Sequence, residues 1–292
     1  MTARASSSLL AAVAAFVIAM VSYQCGASLA KHLFPIVGAE GATAYRLGIS
    51  ALLLALLRRP WRTPTQQGDR RALWGYGLSL GAMNLCFYLS LRTIPLGVAV
   101  ALEFTGPLTL ALLHSRRVLD VVWIALIVGA LALLLPLRGA GALDPVGIAC
   151  ALGAGVFWAL YIVFGQKAGA AYGANAVTLG TAIGAIVAIP AGLAHAGTAL
   201  FSLDLLPWAV GVAVLSSALP YSLEMLALTR LSTRSFSTLL SLEPAIAALI
   251  GVALLHEHLG ALQWLAILAI GVAAAGTALG ARQPPVAEAF AN

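Results

Sequence analysis

Charge is what this 292-residue chain has least of: 9% of its residues are Asp, Glu, Lys or Arg, and 61% are hydrophobic. An ordinary soluble domain carries about 25% charged and roughly 45–50% apolar residues, so the composition excludes a soluble fold and places the chain in a bilayer. The apolar runs also lack the period-two alternation of membrane strands, which leaves helices of about 20 residues as the spanning unit. Cysteine is nearly absent. Cys25, Cys86 and Cys150 are odd in number, have no CxxC spacing and fall within apolar spans, so they read as small core residues and not as a disulfide framework or zinc site. His256 and His258 flank Glu257 without further ligands nearby, and no metal site is expected. There is no phosphate loop, dinucleotide fingerprint or nucleophile elbow; neither a cofactor nor catalysis is expected. The +6 net charge is spread over short loops and forms no basic patch, which excludes a nucleic-acid partner.

What is present is an all-α integral membrane protein. Cutting at charges and turn residues predicts ten spans, at 8–30, 41–57, 72–91, 98–114, 119–136, 145–165, 174–194, 206–228, 236–255 and 261–280. The first is read as a retained helix and not as a cleaved signal, because Ser22 to Gln24 make no lipoprotein cleavage site before Cys25 and many spans follow. The tail at 284–292, with Pro284 and Pro285, reads as disordered. With a cytoplasmic N-terminus, the inner loops hold twelve Lys and Arg residues (Arg4, Arg58, Arg59, Arg62, Arg70, Arg71, Arg116, Arg117, Lys167, Arg230, Arg234 and Arg282), whereas the outer loops hold three: Lys31, Arg92 and Arg138. That bias orients both termini to the cytoplasm.

The chain repeats itself. Lys31 maps onto Lys167 at an offset of 136, each expected to close a first helix, and the stretch from Glu103 to Pro107 is echoed by Glu243 and Pro244. Residues 1–140 and 141–283 are therefore expected to form two five-helix repeats. Since five is odd, the second is inverted relative to the first, an arrangement that puts a transporter's site near the midplane.

Polar positions within the spans fall in stripes of helical period: Gln24, Ser28 and Lys31; Gly77, Gly81, Asn84 and Tyr88; Trp158, Tyr161 and Gly165; Ser217, Tyr221 and Glu224. All four stripes are candidates to line one cavity. The ionisable residues within spans are Arg46, Glu103, Glu224 and Glu243. At about 2.5–3.5 kcal/mol per charge at a helix centre, four facing lipid would cost on the order of 10–14 kcal/mol, so they face inward. Arg46 with one glutamate also fits a pair that only joins helices, and Asn84 fits an interhelical hydrogen bond. Proline has no N–H, so Pro107, Pro220 and Pro244 are expected to break their helices and free the carbonyls of Glu103, Ser216 and Leu240, groups that suit an ammonium ion.

Several stretches carry a family resemblance: GASLAK at 26–31, GAMNLCFYLS at 81–90, IPLGVAVALEFTGP at 94–107, ALGAG at 151–155, SSALPYSLEM at 216–225 and SLEPA at 241–245. Through them the chain resembles the EamA-type exporters of the drug/metabolite transporter superfamily. The resemblance implies ten helices in two inverted halves and export of amino acids, small and neutral in the threonine and homoserine manner, across the bacterial inner membrane by alternating access. Aromatic amino acids, and cationic drugs exchanged for protons, are the alternatives, with a non-transporting scaffold behind them. For a zwitterionic substrate, Glu103 would face the ammonium, Arg46 or Asn84 the carboxylate, and Tyr88, Trp158, Tyr161 and Tyr221 the side chain. Gln24, Ser28, Glu224, Ser241 and Glu243 complete the candidate set. A glutamate among these is also a candidate proton carrier.

Overall fold

The computed structural model describes residues 2–62, 69–113, 118–134, 143–173, 175–220, 223 and 239–280. Among them there is helix and no strand. Helix α1 spans Thr2–Arg58, a 3-10 turn covers Pro60–Arg62, and α2 spans Arg70–Ser90, α3 Leu96–Leu113, α4 Val118–Leu134, α5 Pro145–Tyr172 and α6 Asn175–Ala196. After two 3-10 turns, α7 (Leu206–Ala213) passes into a π turn at Val214–Ala218; α8 is Glu243–Leu255 and α9 is Ala261–Gly280. The expected tail at 284–292 lies outside the described residues.

α1 is two helices in one. Gly38, at φ 70 and ψ 176, interrupts it. A continuous helix would hold Tyr23 and Arg46 about 34 Å apart, yet their side chains are hydrogen-bonded; the chain folds back at Gly38 into two arms. Contrary to the expectation from sequence, Lys31 does not close the first arm: the helix runs on through Pro35. α5 likewise continues past Lys167 to Gly173, whose φ is 54. Gly38 and Gly173, two of the three positive-φ glycines among the described residues, lie 135 residues apart, close to the offset of the lysines.

Small residues set the packing. α1 lies on α6, α7 and α8; α2 on α5 and α6; α3 on α5 and α8; and α4 on α9. Gly77 and Gly81 of α2 meet Gly180 and Gly184 of α6 backbone to backbone, so these glycine lines join helices inside one bundle. At Gly97 a Cβ would run into Ala248 of α8. The main core gathers Ala27, Ala30, Leu91, Leu102, Ala151, Ala247 and Ile267 from α1, α3, α5, α8 and α9 and the end of α2. The opposite faces carry exposed Leu52, Leu56, Val121, Val128, Val156, Leu249, Leu265 and Val272. Such an extent of outward apolar surface suits lipid, not water. The stretches 10–62, 145–172 and 175–201 are long and apolar enough to cross a membrane.

Candidate functional site

The site is built around Arg46, on the second arm of α1 and 2% exposed. Its Nη2 donates to the hydroxyl of Tyr23 on the first arm and to the carbonyl of Ser216 at 3.5 Å. The guanidinium carbon lies 4.6 Å from the centroid of the Tyr23 ring and 5.5 Å from that of Tyr88. A planar cation between aromatic faces gains from their quadrupoles while its edge bonds to oxygens, a combination available to arginine and not to lysine.

The Ser216 carbonyl is free for a local reason. In the π turn the Leu219 N–H returns to Val214, and the next residue, Pro220, has no N–H to give. The carbonyl of Leu215 therefore loses its helical donor in either register, and that of Ser216 loses its α-helical one. Side chains of α1 replace them: Ser22 Oγ donates to Leu215 O at 2.9 Å, and Arg46 donates to Ser216. Gly26 permits this approach, since a Cβ there would stand 2.9 Å from the Ser216 nitrogen. The carbonyl expected to await a cation is met by the protein's own guanidinium.

Two buried carboxylates complete the cluster. Glu103 projects from α3 and Glu243 begins α8, where the partial positive charge of a helix N-terminus favours it. Glu103, Glu243, Arg46 and Tyr23 lie within electrostatic reach of one another. Gln24 Nε2 donates to Glu243 Oε1 at 3.2 Å. Glu103 takes no hydrogen bond from any described residue.

One of the expected proline breaks is corrected. α3 runs unbroken through Pro107, and Gly155 of α5 lies so close to the carbonyl that Pro107 deprives of its donor that a Cβ there would stand 2.6 Å from it. At Pro244 the helical path is interrupted, between residues 239–240 and the start of α8. A turn at Ser241–Leu242 precedes α8, and Pro244 sits in its first turn, where a missing N–H costs nothing.

The other candidates divide. Tyr88 is fully buried beside Arg46, and among the described residues its hydroxyl has no hydrogen-bond partner, as is true of Gln24 Oε1. Ser28 and Ser241 are buried. Asn84 donates to the Leu80 carbonyl of its own helix at 2.8 Å, so it is no interhelical bond through that group. Trp158 stands edge-on to Phe104, the residue after Glu103 in α3, with centroids 5.6 Å apart. Tyr161 stacks instead on Tyr76 at 4.8 Å, hydroxyl to hydroxyl, in a separate cluster with Leu73 and Ile183. Tyr221 and Glu224 lie outside the described residues. Tyr23 and Ser22 escaped the sequence reading as site residues, whereas the Ser216 carbonyl was among its candidates. The available signal was that Tyr23 and Ser22 directly precede Gln24 in an apolar span.

A helical bundle that is apolar outside and holds an arginine and two glutamates at its centre is a membrane transporter. The chain belongs to the EamA-like transporter family, whose profile matches residues 145–279, and it is not an enzyme. The threonine/homoserine exporter RhtA of Salmonella typhimurium strain LT2 is 53% identical over 269 residues, covering 92% of this chain and 91% of that protein. RhtA of Escherichia coli strain K12 is 52% identical over 267 residues, covering 91% and 90%. A solved crystal structure with 18% identity shares the fold at a TM-score of 0.54, over 92% of this chain and 96% of that one.

Proposed function

We propose that this protein exports small neutral amino acids of the threonine and homoserine type across the bacterial inner membrane by alternating access. The observation that carries the reading is the central cluster of Arg46, Glu103 and Glu243 in a chain about half identical to threonine/homoserine exporters. A zwitterion needs one anionic and one cationic contact. Glu103 takes no hydrogen bond from a described residue and receives the ammonium. Arg46 and the N-terminal end of α8 receive the carboxylate. The Tyr88 hydroxyl and Gln24 Oε1, buried without partners among the described residues, gain them from the substrate, and Trp158 closes the side-chain end. Glu224, Tyr221, Ser28 and Ser241 complete the lining.

The architecture we propose is ten spans in two inverted halves, 1–140 and 141–283, with both termini cytoplasmic. The charge bias of the loops and the matched breaks at Gly38 and Gly173 support it. Glu103 is also the proposed proton carrier. The test is counterflow in proteoliposomes with a panel of labelled amino acids, with and without a pH gradient. Threonine and homoserine are expected to exchange fastest. Exchange of lipophilic cations without any of amino acids would replace this reading with a multidrug one.

A further inference from the structure

Glu257 joins three segments at one end of the bundle. Its Oε1 accepts from Lys31 Nζ on the first arm of α1 at 2.6 Å, and its Oε2 accepts from the backbone N–H of Leu96, the first residue of α3, at 2.8 Å. Glu257 itself follows α8: His256 adopts a left-handed conformation (φ 53), and the Glu257 N–H returns to the Gly251 carbonyl at 3.1 Å. Gly251 has no Cβ to strike the carboxylate folded over it. The Lys31 and Glu257 side chains are 24% and 10% exposed, so solvent and salt screen this pair less than a surface one.

Lys31 lies on the same face of α1 as Gln24 and Ser28, about 10 Å along the axis from Gln24. Gln24 holds Glu243. The carboxylate of Glu257 thus caps the stripe that leads from the central cluster to this end of the molecule. One carboxylate with two partners is a single point of release: when Glu257 leaves, α1, α3 and α8 lose their shared tie together.

We propose that Glu257, held by Lys31 and the Leu96 N–H, is the latch of the outer gate. Formed, it seals the central site from the outside; broken, it lets the first arm of α1 part from α3 and α8 so that substrate leaves. The proposal rests on the orientation and alternating-access reading given above for which end is outer and what passes it. Glutamine at 257 loses the charge and puts an NH2 donor where one of the two accepting oxygens stood, so one partner meets a donor, while methionine at 31 removes the cation and keeps the apolar stem.

The test uses the full chain with Cys25, Cys86 and Cys150 replaced by alanine and Ala27→Cys as reporter, on α1 between Gln24 and Lys31. A membrane-impermeant maleimide is added to whole cells and, separately, to inverted vesicles. With Glu257→Gln or Lys31→Met, the reporter thiol at position 27 is expected to label from outside about tenfold faster than with the pair intact, the shift in open population that about 1.4 kcal/mol converts to. An unchanged rate in both variants overturns the latch. Acceleration only in inverted vesicles keeps the latch and overturns the orientation. No substrate is needed, so failure here is distinct from failure of the substrate reading. As a second arm, Lys31→Cys with Glu257→Cys is joined by a reducible bis-methanethiosulfonate linker in proteoliposomes. Threonine counterflow is expected to stop on linking and return on reduction, and counterflow that persists in fully linked protein overturns the latch.

Discussion

Gly155 of α5 lies against the main-chain carbonyl of Glu103 in α3, so near that a Cβ on Gly155 would stand 2.6 Å from that oxygen. The reverse contact is tighter still, with a Cβ on Gly106 driven into the Gly155 carbonyl. The two backbones touch where Glu103 leaves its helix. This crossing fixes the height and direction of the carboxylate, and the missing N–H of Pro107 makes room for it by leaving the carbonyl without a helical donor.

Adding one methyl group at either glycine forces the helices apart. Gly155→Ala and Gly106→Ala are expected to cost about 1–3 kcal/mol each by overpacking and to lower the thermal midpoint of the detergent-solubilised protein. Gly153, whose Cβ would meet only the Cys86 sulfur at 3.9 Å, and Gly169, which has nothing within 4 Å, are the controls. Their alanine variants are expected to melt at or above the parent. Fluorescence-detected size exclusion after heating reads all four, and equal midpoints for Gly155→Ala and Gly153→Ala would show that the crossing does not hold Glu103.

The legible parts of this fold are those where chemistry is local. Asp144 before Pro145 predicts a helix start at 145, and the turn at Gly260 before the apolar run predicts 261–280; both are found. Lys31 and Lys167 were misleading, because a charge in an apolar run resembles a helix end, whereas Lys31 is paired with Glu257 and its helix continues to Gly38. The charged centre was legible because Arg46, Glu103 and Glu243 are too costly to face lipid. Its wiring was not. The π turn at Val214–Ala218 shifts the hydrogen-bond register by one, and only the folded arms of α1 show that Ser22 and Arg46 take up the released carbonyls. Tyr161 shares a helix face with Trp158 in sequence but finds Tyr76 first.

Asp144 gives a titration outside the spans. Its carboxylate accepts from the Gly147 N–H at 2.8 Å, and that bond, with one from the Thr93 side chain, holds its pKa below the usual carboxylate value of 3.8. The folded pKa lies below the unfolded one, so the stabilisation is present above pH 3.8 and is lost as the pH falls through the folded value. Asp144→Asn retains an acceptor for the helix start but cannot titrate. Its thermal midpoint is expected to fall less than the parent's between about pH 5 and about pH 3 in scans at matched ionic strength. Parallel curves would show that Asp144 carries no acid sensitivity.

Arg46 is held by shape as much as by charge. Lysine in its place keeps the cation and loses the fork that reaches the Tyr23 hydroxyl and the Ser216 carbonyl together. Arg46→Lys is expected to reduce threonine counterflow at least about tenfold, a loss of roughly 1.4 kcal/mol. Tyr23→Phe keeps the ring under the guanidinium and removes one acceptor; the cost is about 1–3 kcal/mol of stability from a buried donor left without its oxygen. Thermal midpoints and counterflow on the same preparations separate the two effects. Full activity in Arg46→Lys would reassign Arg46 to joining the arms of α1.

Glu103 and Glu243 differ in a way that predicts opposite outcomes for the same substitution. Gln24 donates to Glu243 at 3.2 Å, and α8 starts at Glu243, so that carboxylate has a structural task which a glutamine oxygen can partly perform. Glu103 takes no hydrogen bond from a described residue, and its nearest charged neighbours pull in opposite directions: Glu243 repels its charge and Arg46 attracts it. Glu103→Gln breaks no hydrogen bond to a described residue, and is expected to leave the melting temperature unchanged or raised, since a carboxylate in low dielectric is costly to ionise. Transport is the opposite case. An amide cannot neutralise an ammonium or carry a proton, so counterflow is expected to fall at least about a hundredfold, roughly 2.7 kcal/mol. Glu243→Gln is expected to lose stability and keep a measurable rate. If Glu103→Gln exchanged threonine at the parent rate, the ammonium contact would have to move to Glu243, and the bond from Gln24 would then have to open on binding.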